Sequence, residues 1–121
     1  MIKIKLIYDK PEKEDGFRNL VDKLWPRGLK KGEVKIDLWL KQVAPSTELR
    51  KWFSHDPSRW KGFCEKYKEE LTREPGEKKV LMELVEMAGR GNLTLVYSAR
   101  DEEHNNAIAL KEMIESFEGR V

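Results

Sequence analysis

The chain has 121 residues, enough for one domain with a hydrophobic core of its own and too few for two. Its 24 Lys and Arg residues against 22 Asp and Glu leave a net charge of +2, which excludes a protein-wide field that wraps nucleic acid, while the abundance of Lys and Glu is typical of proteins from hot environments. One cysteine and the lack of any apolar run of roughly 18 residues exclude an internal disulfide, a multi-thiolate metal centre and a membrane span, so we expect one cytoplasmic domain over residues 1–121 with no membrane partner.

Two strands are predicted near the start of the chain. Residues 2–6 alternate Ile and Leu with Lys, until Ile7 and Tyr8. This pattern indicates a half-buried strand at a sheet edge with its lysines outward and is unlike the apolar core of a signal peptide. Residues 10–16 form a charged turn that is short for a parallel crossover, so the direction of the first strand stays open. Residues 17–25 are expected to form the second strand, which ends at Pro26 because proline has no amide hydrogen to pair.

The middle of the chain is predicted to be helical. Apolar residues three and four apart favour short helices over 36–43 and 47–53, and Ser46 or Thr47 can cap the second. Two longer helices, over 57–71 and 78–88, follow.

The start of the first longer helix is marked by Asp56 as a cap and by Pro57 at a position where its missing N–H is no loss. The chain then returns to a buried strand at 93–97 and continues into an amphipathic helix.

This order of elements predicts an α/β fold: a single small domain with a short, mostly parallel sheet of about three strands flanked by about five helices. The helical segment is long enough for a right-handed crossover, so the second and third strands are expected to be parallel neighbours. The segments WPRG at 25–28 and SARD at 98–101 then leave the sheet at one edge, the carboxyl ends of the strands, where open α/β sheets bind their ligands.

Two arginines follow those strands. Arg27 and Arg100 can together clamp a phosphate or a carboxylate, with Gly28 allowing the backbone to approach the ligand. The alternative is that each arginine pairs with a nearby carboxylate, such as Asp22 or Asp101, and serves no ligand.

The last helix is expected to begin at Asp101, capped by Asp101 alone or by Ser98 and Asp101 together. Acidic residues in its first turn disfavour phosphate there and favour a cationic or hydroxylated group. Glu103 and Asn106 are expected to face the crevice, with Asn106 recognising a ligand; the alternative is that Asn106 bonds the backbone of its own loop.

The candidate acid or base at this edge is Asp22, Asp101 or His104. Histidine is the side chain most ready to move protons near neutral pH. The spacing of His55 and His104 matches no helix-borne ligand pair, so no metal site is predicted, and the cofactor is left unknown. Cys64 lies on the apolar stripe of its helix and is expected to be an inert core thiol.

The loop around Trp25 indicates a second class of function. Basic side chains next to an aromatic ring resemble a patch that contacts phosphates and stacks bases, although such loops are more often simply hydrated and nucleic acid is the less favoured partner. The basic residues are Lys23, Arg27, Lys30, Lys31 and Lys35.

Four segments of this chain resemble the YeaO-like proteins, a family catalogued as a domain of unknown function: LVDKLWPRG at 20–28, DLWLKQVAPSTELRKWF at 37–53, HDPSRW at 55–60 and LTLVYSARDEEHNNA at 93–107. The resemblance spans nearly the whole chain and implies a small cytoplasmic α/β domain without an assigned enzyme class. It also adds Ser46, Thr47, Glu48 and Arg50 to the expected site.

One difference from the family pattern bears on catalysis. The pattern commonly has Asn-His where this chain has Asn105-Asn106, so a histidine acting as a base would have to be His104.

Three hypotheses follow. The leading one is a site at the strand ends for a small polar or anionic molecule, with or without catalysis. The alternatives are a nucleic-acid or protein binding module around Trp25 and a structural or regulatory domain without a site. The candidate ligand-binding residues are Trp25, Arg27, Gly28, Ser46, Thr47, Arg50, Ser98, Arg100, Asn105 and Asn106.

Overall fold

A computed structural model describes residues 1–118 as a four-stranded sheet with α-helices packed on one face. The strands are β1 (Ile2–Leu6), β2 (Phe17–Leu20), β3 (Leu38–Trp39) and β4 (Leu93–Tyr97). The helices are α1 (Thr47–Phe53), α2 (Trp60–Arg73), α3 (Pro75–Arg90) and α4 (Asn106–Glu118). The predicted α/β class is confirmed, with four strands and four α-helices within the described range in place of about three and about five.

The sheet is parallel throughout, in the order β1-β4-β2-β3. The parallel pairing of β2 with β4 and the edge position of β1 are both confirmed. The direction of β1, which the sequence left open, is parallel to β4. All four strands therefore end at the same edge, which places their following loops side by side.

Two predicted elements were wrong. The second strand stops at Leu20 instead of residue 25, and Trp25 lies in a loop. The helix expected over 36–43 is replaced by β3 and a short 3-10 turn at Lys41–Val43. The apolar side chains that suggested a helical face, Ile36 and Trp39 among them, pack against the sheet from an extended backbone.

The main core lies between the sheet and the helices. Alternate residues of β4, including Leu95, face this side and contact the buried stripes of α2, α3 and α4. Fully burying one such leucine contributes about 2 kcal/mol. The helix residues fully enclosed here are Tyr67, Leu71, Leu81, Leu84, Leu110 and Ile114.

The second face of the sheet is covered by the irregular segment of residues 22–37 and by Trp39 of β3. Ile7, Leu20 and Val96 are buried on this face. The side chains that cover them are Trp25, Leu29, Val34, Ile36 and Trp39. The basic loop is therefore also a structural layer, and its tryptophans are anchored to the sheet.

A cluster of buried charged side chains lies at the start of β2. Asp15 is 0% exposed and Arg18 is 1% exposed, and their side chains pair at 2.5 Å. Lys5 Nζ lies 2.9 Å from Asp15 Oδ1, so this lysine, only 14% exposed, points into the cluster instead of outward as predicted. Arg18 also donates from Nε to the Lys35 carbonyl at 2.7 Å, which ties the cluster to the covering segment.

Candidate functional site

The loops after β2 and β4 meet at Asp22. Its Oδ2 accepts hydrogen bonds from the backbone N–H of Ser98 at 2.9 Å and from Ser98 Oγ at 2.7 Å. Asn106 Nδ2 donates to the Val21 carbonyl at 2.8 Å and lies 3.3 Å from Asp22 Oδ1. The strand-end convergence predicted from the sequence is therefore made by Asp22, five residues before Arg27, and α4 is fastened to it.

These bonds occupy the Asp22 carboxylate with three protein donors. A carboxylate bonded in this way holds two loops and a helix together, which is a positioning role. Asn106 bonds the end of a neighbouring strand, and not its own loop as the alternative expectation had it.

Replacing Asp22 with Ala is expected to lower the free energy of unfolding by about 2 kcal/mol, because the Ser98 N–H loses its charged acceptor. Chemical denaturation of the variant measures this loss. Glu102→Ala removes an exposed carboxylate from the nearby loop and is the matched control. Equal stability of the two variants would contradict the role assigned to Asp22.

The segment after Ser98 is a turn built on Asp101. Asp101 Oδ1 accepts the backbone N–H of Glu103 at 2.8 Å and that of His104 at 3.0 Å. The prediction that the helix begins at Asp101 was wrong, because α4 begins at Asn106 and Asn105 caps it by accepting the Ile108 N–H at 3.0 Å.

This correction changes the expected surroundings of the helix start. Residues 101–103 lie before the helix, and Glu103, predicted to face the crevice, is exposed. Asn105 is buried and also donates from Nδ2 to the Asp101 carbonyl at 3.0 Å. These hydrogen bonds within the turn explain why Asn105 is buried without invoking a bound ligand.

Asp101 and His104 form a pair at the end of this turn. His104 Nδ1 lies 3.1 Å from Asp101 Oδ2, and the imidazole packs edge-on against Trp60. The N–H of Glu103, together with that of His104, holds the pKa of the Asp101 carboxyl below its ordinary value. A lowered pKa makes Asp101 a weaker base than an ordinary aspartate, and its Oδ2 contacts the His104 ring at Nδ1.

A second set of contacts joins the start of α1 to α2. Ser46 caps α1 by accepting the Leu49 N–H at 3.1 Å, which confirms its predicted capping role. Ser46 N also donates to Glu70 Oε1 at 2.9 Å, and Ser46 Oγ donates to the other oxygen of the same carboxylate. Thr47 Oγ1 accepts from Lys23 Nζ at 3.1 Å, so the β2 loop reaches this helix as well.

A cavity of about 350 Å³ opens beside these contacts. It lies at the carboxyl edge of the sheet, between the loops after β2 and β3 and the junction of α2 with α3. Its charged lining residues are Lys23, Lys41, Arg73, Glu70, Glu74 and Glu77. Pro45 and Ser46 contribute to the wall. Ser46 is thus the one of the four residues added by the family resemblance that lines the cavity, whereas Thr47, Glu48 and Arg50 do not.

The three predicted arginines stand apart from these contacts. Arg27, Arg50 and Arg100 are exposed. Within residues 1–118 their side chains form no hydrogen bond or ion pair and do not line the cavity. Pairing with a nearby carboxylate was the alternative expected for Arg27 and Arg100, and the structure does not have it. The binding of an anion between these two arginines stays a prediction.

Comparisons with known proteins establish the family. The model of DUF488-N3i, described as "Inactive DUF488-N3 subclade", matches residues 1–119. The chain belongs to the DUF488-N3i family. This finding agrees with the YeaO-like resemblance of its motifs.

Two relatives illustrate the breadth of the DUF488-N3i match. The chain is 42% identical to the uncharacterized protein YeaO of Escherichia coli (strain K12) over 115 residues, covering 95% of this chain and 97% of that protein. It is 34% identical to the uncharacterized protein Rv3073c of Mycobacterium tuberculosis (strain ATCC 25618 / H37Rv) over 113 residues, covering 93% and 92%. No solved structure matches the chain.

The histidine, acidic and cysteine side chains of this DUF488-N3i protein bear on metal and thiol chemistry. In the described part of the chain no group of three His, Cys, Asp or Glu side chains is arranged to hold a metal ion. Burial raises the pKa of Cys64 to about 11, which disfavours the reactive thiolate, although the side chain is only partly buried. No helix within residues 1–118 is both long and apolar enough to cross a membrane.

Sequence reasoning missed Glu70 and Lys41 as cavity residues of this family member. Each lies among other charged residues of the same kind in a helix or loop, and nothing distinguishes it from them in the sequence. The contact of Glu70 with Ser46 spans 24 residues, and nothing in the local pattern near either residue indicates it. Trp39 was noticed only as an apolar helix position, whereas its Nε1 donates to the Asp22 carbonyl at 2.8 Å.

Proposed function

We propose that this domain binds a small polar molecule carrying an anionic group in the cavity at the carboxyl edge of the sheet. The observation that carries the proposal is the placement of Lys23, Lys41 and Arg73 around one concave space of about 350 Å³. A space of this size accommodates a metabolite, and cations on its wall attract an anionic group.

The opposite charges on the wall narrow the class of ligand. Glu74 and Glu77 line the same cavity as the cations, while Glu70 is already bonded to Ser46. Free carboxylates suit an amino or hydroxyl group on the ligand. A zwitterionic or hydroxylated acid therefore fits the wall better than a bare phosphate.

Binding without catalysis is the version of the proposal that the contacts favour. Asp22 is occupied by Ser98 and Asn106, and Asp101 by its own turn. The Asp101–His104 pair does not line the cavity. The description of the family as inactive supports the same choice.

A thermal-shift screen of amino acids, hydroxy acids and other small metabolites at low salt tests the proposal. A ligand at about 100 times its Kd is expected to stabilise the domain by about 2.7 kcal/mol. Lys23→Ala and Lys41→Ala are each expected to weaken binding about tenfold, since each removes one charged donor. Lys61→Ala, at an exposed position of α2, is the matched control.

Two results would overturn the proposal. One is a screen in which no compound raises the melting temperature. The other is a ligand whose stabilisation survives in the Lys23→Ala Lys41→Ala double variant and disappears in Arg27→Ala or Arg100→Ala, which would place the site at the arginines.

A further inference from the structure

We propose that the segment covering the second face of the sheet is a separate surface that binds single-stranded nucleic acid. The surface, called here the Trp25–Trp39 face, consists of the two tryptophans and the basic residues between positions 23 and 41. Its two tryptophans pack on the side of the sheet opposite the helices, and Lys23 and Lys41, at the ends of the segment, also line the cavity.

The charge of this segment differs from that of the rest of the chain. Six cationic residues against Glu33 and Asp37 give positions 23–41 a net charge of +4, and since the whole chain carries +2, the remainder carries −2. All six cations are exposed, and within residues 1–118 none forms an ion pair with a carboxylate. They are Lys23, Arg27, Lys30, Lys31, Lys35 and Lys41.

This local excess of unpaired cations is the complement of a phosphate backbone. A polyanion that neutralises several lysines releases bound counterions, which drives association at low salt. The small charge of the whole protein does not oppose this, because screening confines the interaction to about 10 Å.

Two aromatic rings sit among these cations in a fixed arrangement. The centroids of Trp25 and Trp39 are 5.3 Å apart with the rings inclined at 64°. Trp25 Nε1 donates to the Leu29 carbonyl at 2.6 Å, and the Trp39 indole is held by Asp22. Both rings are thus oriented by backbone acceptors before any partner arrives.

The rings remain accessible from one side. They border a groove of about 200 Å³, together with Lys31, Ile36, Asp37 and Leu38, and the Asp37 carboxylate is occupied by the backbone N–H of Arg18 at 2.8 Å. Lys31 Nζ lies 5.8 Å from the Trp25 centroid and 5.3 Å from that of Trp39. Lys41 Nζ lies 4.1 Å from the Trp39 centroid as well. When these two ammonium groups move to phosphates, the ring faces become available to an unpaired base.

Base stacking on tryptophan contributes about 1–3 kcal/mol per base, and it requires bases that are not already stacked in a duplex. A groove of this volume admits one base and not a double helix. An acidic peptide would satisfy the lysines but leave the ring faces unused. Single-stranded nucleic acid is therefore the partner that uses both the charge and the aromatic pair.

Fluorescence anisotropy with a labelled single-stranded oligonucleotide of about ten bases tests the inference. The full-length protein is expected to bind at about 50 mM salt and to weaken steeply by about 200 mM, with a log–log slope near −3 for about four phosphate contacts. Lys30→Glu Lys35→Glu is expected to weaken binding at least tenfold, and Trp25→Phe several-fold. Trp25, Lys30 and Lys35 do not line the ligand cavity. Failure of nucleic-acid binding would therefore leave the proposed ligand binding untouched, and failure of the ligand screen would leave nucleic-acid binding untouched.

The control is Lys61→Glu Lys78→Glu, which reverses two exposed charges on α2 and α3 and is expected to retain most binding. Circular dichroism verifies that each variant is folded. The inference is overturned by absent or salt-insensitive binding, by equal affinity for duplex DNA or for polyglutamate, or by a control as damaging as the Lys30 and Lys35 reversal.

Discussion

Replacing Asp15 with Asn is expected to lower the free energy of unfolding by about 3 kcal/mol or more, the cost of breaking a buried ion pair from one side. Asp15 and Arg18 are enclosed between the sheet and its covering segment, and their side chains pair at 2.5 Å. Lys5 and the backbone N–H of Glu12 complete the contacts of the carboxylate. Asparagine keeps the shape but leaves the Arg18 charge buried and uncompensated.

The pH dependence of stability provides an independent measurement at Asp15. Burial raises the pKa of this carboxyl, but hydrogen bonds from Lys5, the Glu12 backbone and Arg18 outweigh burial and bring the pKa to about 2. Because the folded pKa lies below the ordinary value of 3.8, the stabilisation is fully present above that value and is lost as the pH falls through about 2.

The stability difference between the wild type and Asp15→Asn should therefore shrink as the pH falls through this window. Denaturant unfolding at neutral pH and at acidic pH measures the difference. Glu14→Gln changes an exposed neighbouring carboxylate and serves as the control. A stability gap that stays constant down to pH values near 2 would contradict the assignment.

Gly16→Ala is expected to destabilise the domain by about 3 kcal/mol or more, the sum of backbone strain and overpacking. Gly16 has φ +65°, which a side chain rarely adopts, and a Cβ there would lie 2.0 Å from the Asn92 carbonyl oxygen. That oxygen accepts the Phe17 N–H at 3.2 Å where β2 and β4 begin to pair. Two strands would have to separate to admit one methyl group.

The melting temperature and denaturant midpoint of Gly16→Ala measure this effect. Gly89→Ala is the matched control, since Gly89 lies in α3 and a Cβ there meets nothing within 4 Å. Alanine in a helix is favoured over glycine by up to about 1 kcal/mol, so the control is expected to be stabilised. A Gly16→Ala variant as stable as the wild type would show that the turn can rearrange without loss.

The two proposed binding surfaces depend on different parts of the fold. The cavity uses the loops at the carboxyl edge, and the Trp25–Trp39 face uses the segment that covers the sheet. Lys23 and Lys41 belong to both, because each lines the cavity and each is one of the cations of the Trp25–Trp39 face; Lys41 Nζ also lies 4.1 Å from the Trp39 ring centroid. Variants at these two lysines would therefore affect either function, and only Trp25, Lys30 and Lys35, which do not line the cavity, test the Trp25–Trp39 face by itself.

Elements with a regular local pattern could be predicted from the sequence. The apolar run of β4 and the cap at Ser46 depend on residues within a few positions of one another, and both are confirmed. The strand β1 is confirmed as well, but its Lys5 points into the buried charge cluster instead of outward. The parallel pairing of β2 with β4 followed from the length of the helical segment between them.

The candidate site was predicted less well. Its location at the carboxyl edge depended on topology, and Ser98, Asn106 and Ser46 do lie in contacts there. The partners of these residues could not be predicted, because Asp22 and Ser98 are 76 positions apart and many carboxylates in the chain could equally have accepted the same hydrogen bonds. Asp101 was predicted to begin the helix because an aspartate that accepts the backbone N–H groups two and three residues later resembles a helix cap, whereas the cap is Asn105, four residues further on.

The sequence by itself determined the α/β class, the parallel neighbours and the edge at which loops gather, because periodicity and connection length are local or nearly local properties. Only the tertiary structure decided that residues 36–43 contain β3 and a 3-10 turn instead of a helix, since Ile36 and Trp39 are apolar in either conformation and in the folded protein they cover the second face of the sheet. It also decided that Asp15 and Arg18 are buried together, because the energy of a charge depends on what encloses it, and here the enclosing strands are remote in sequence.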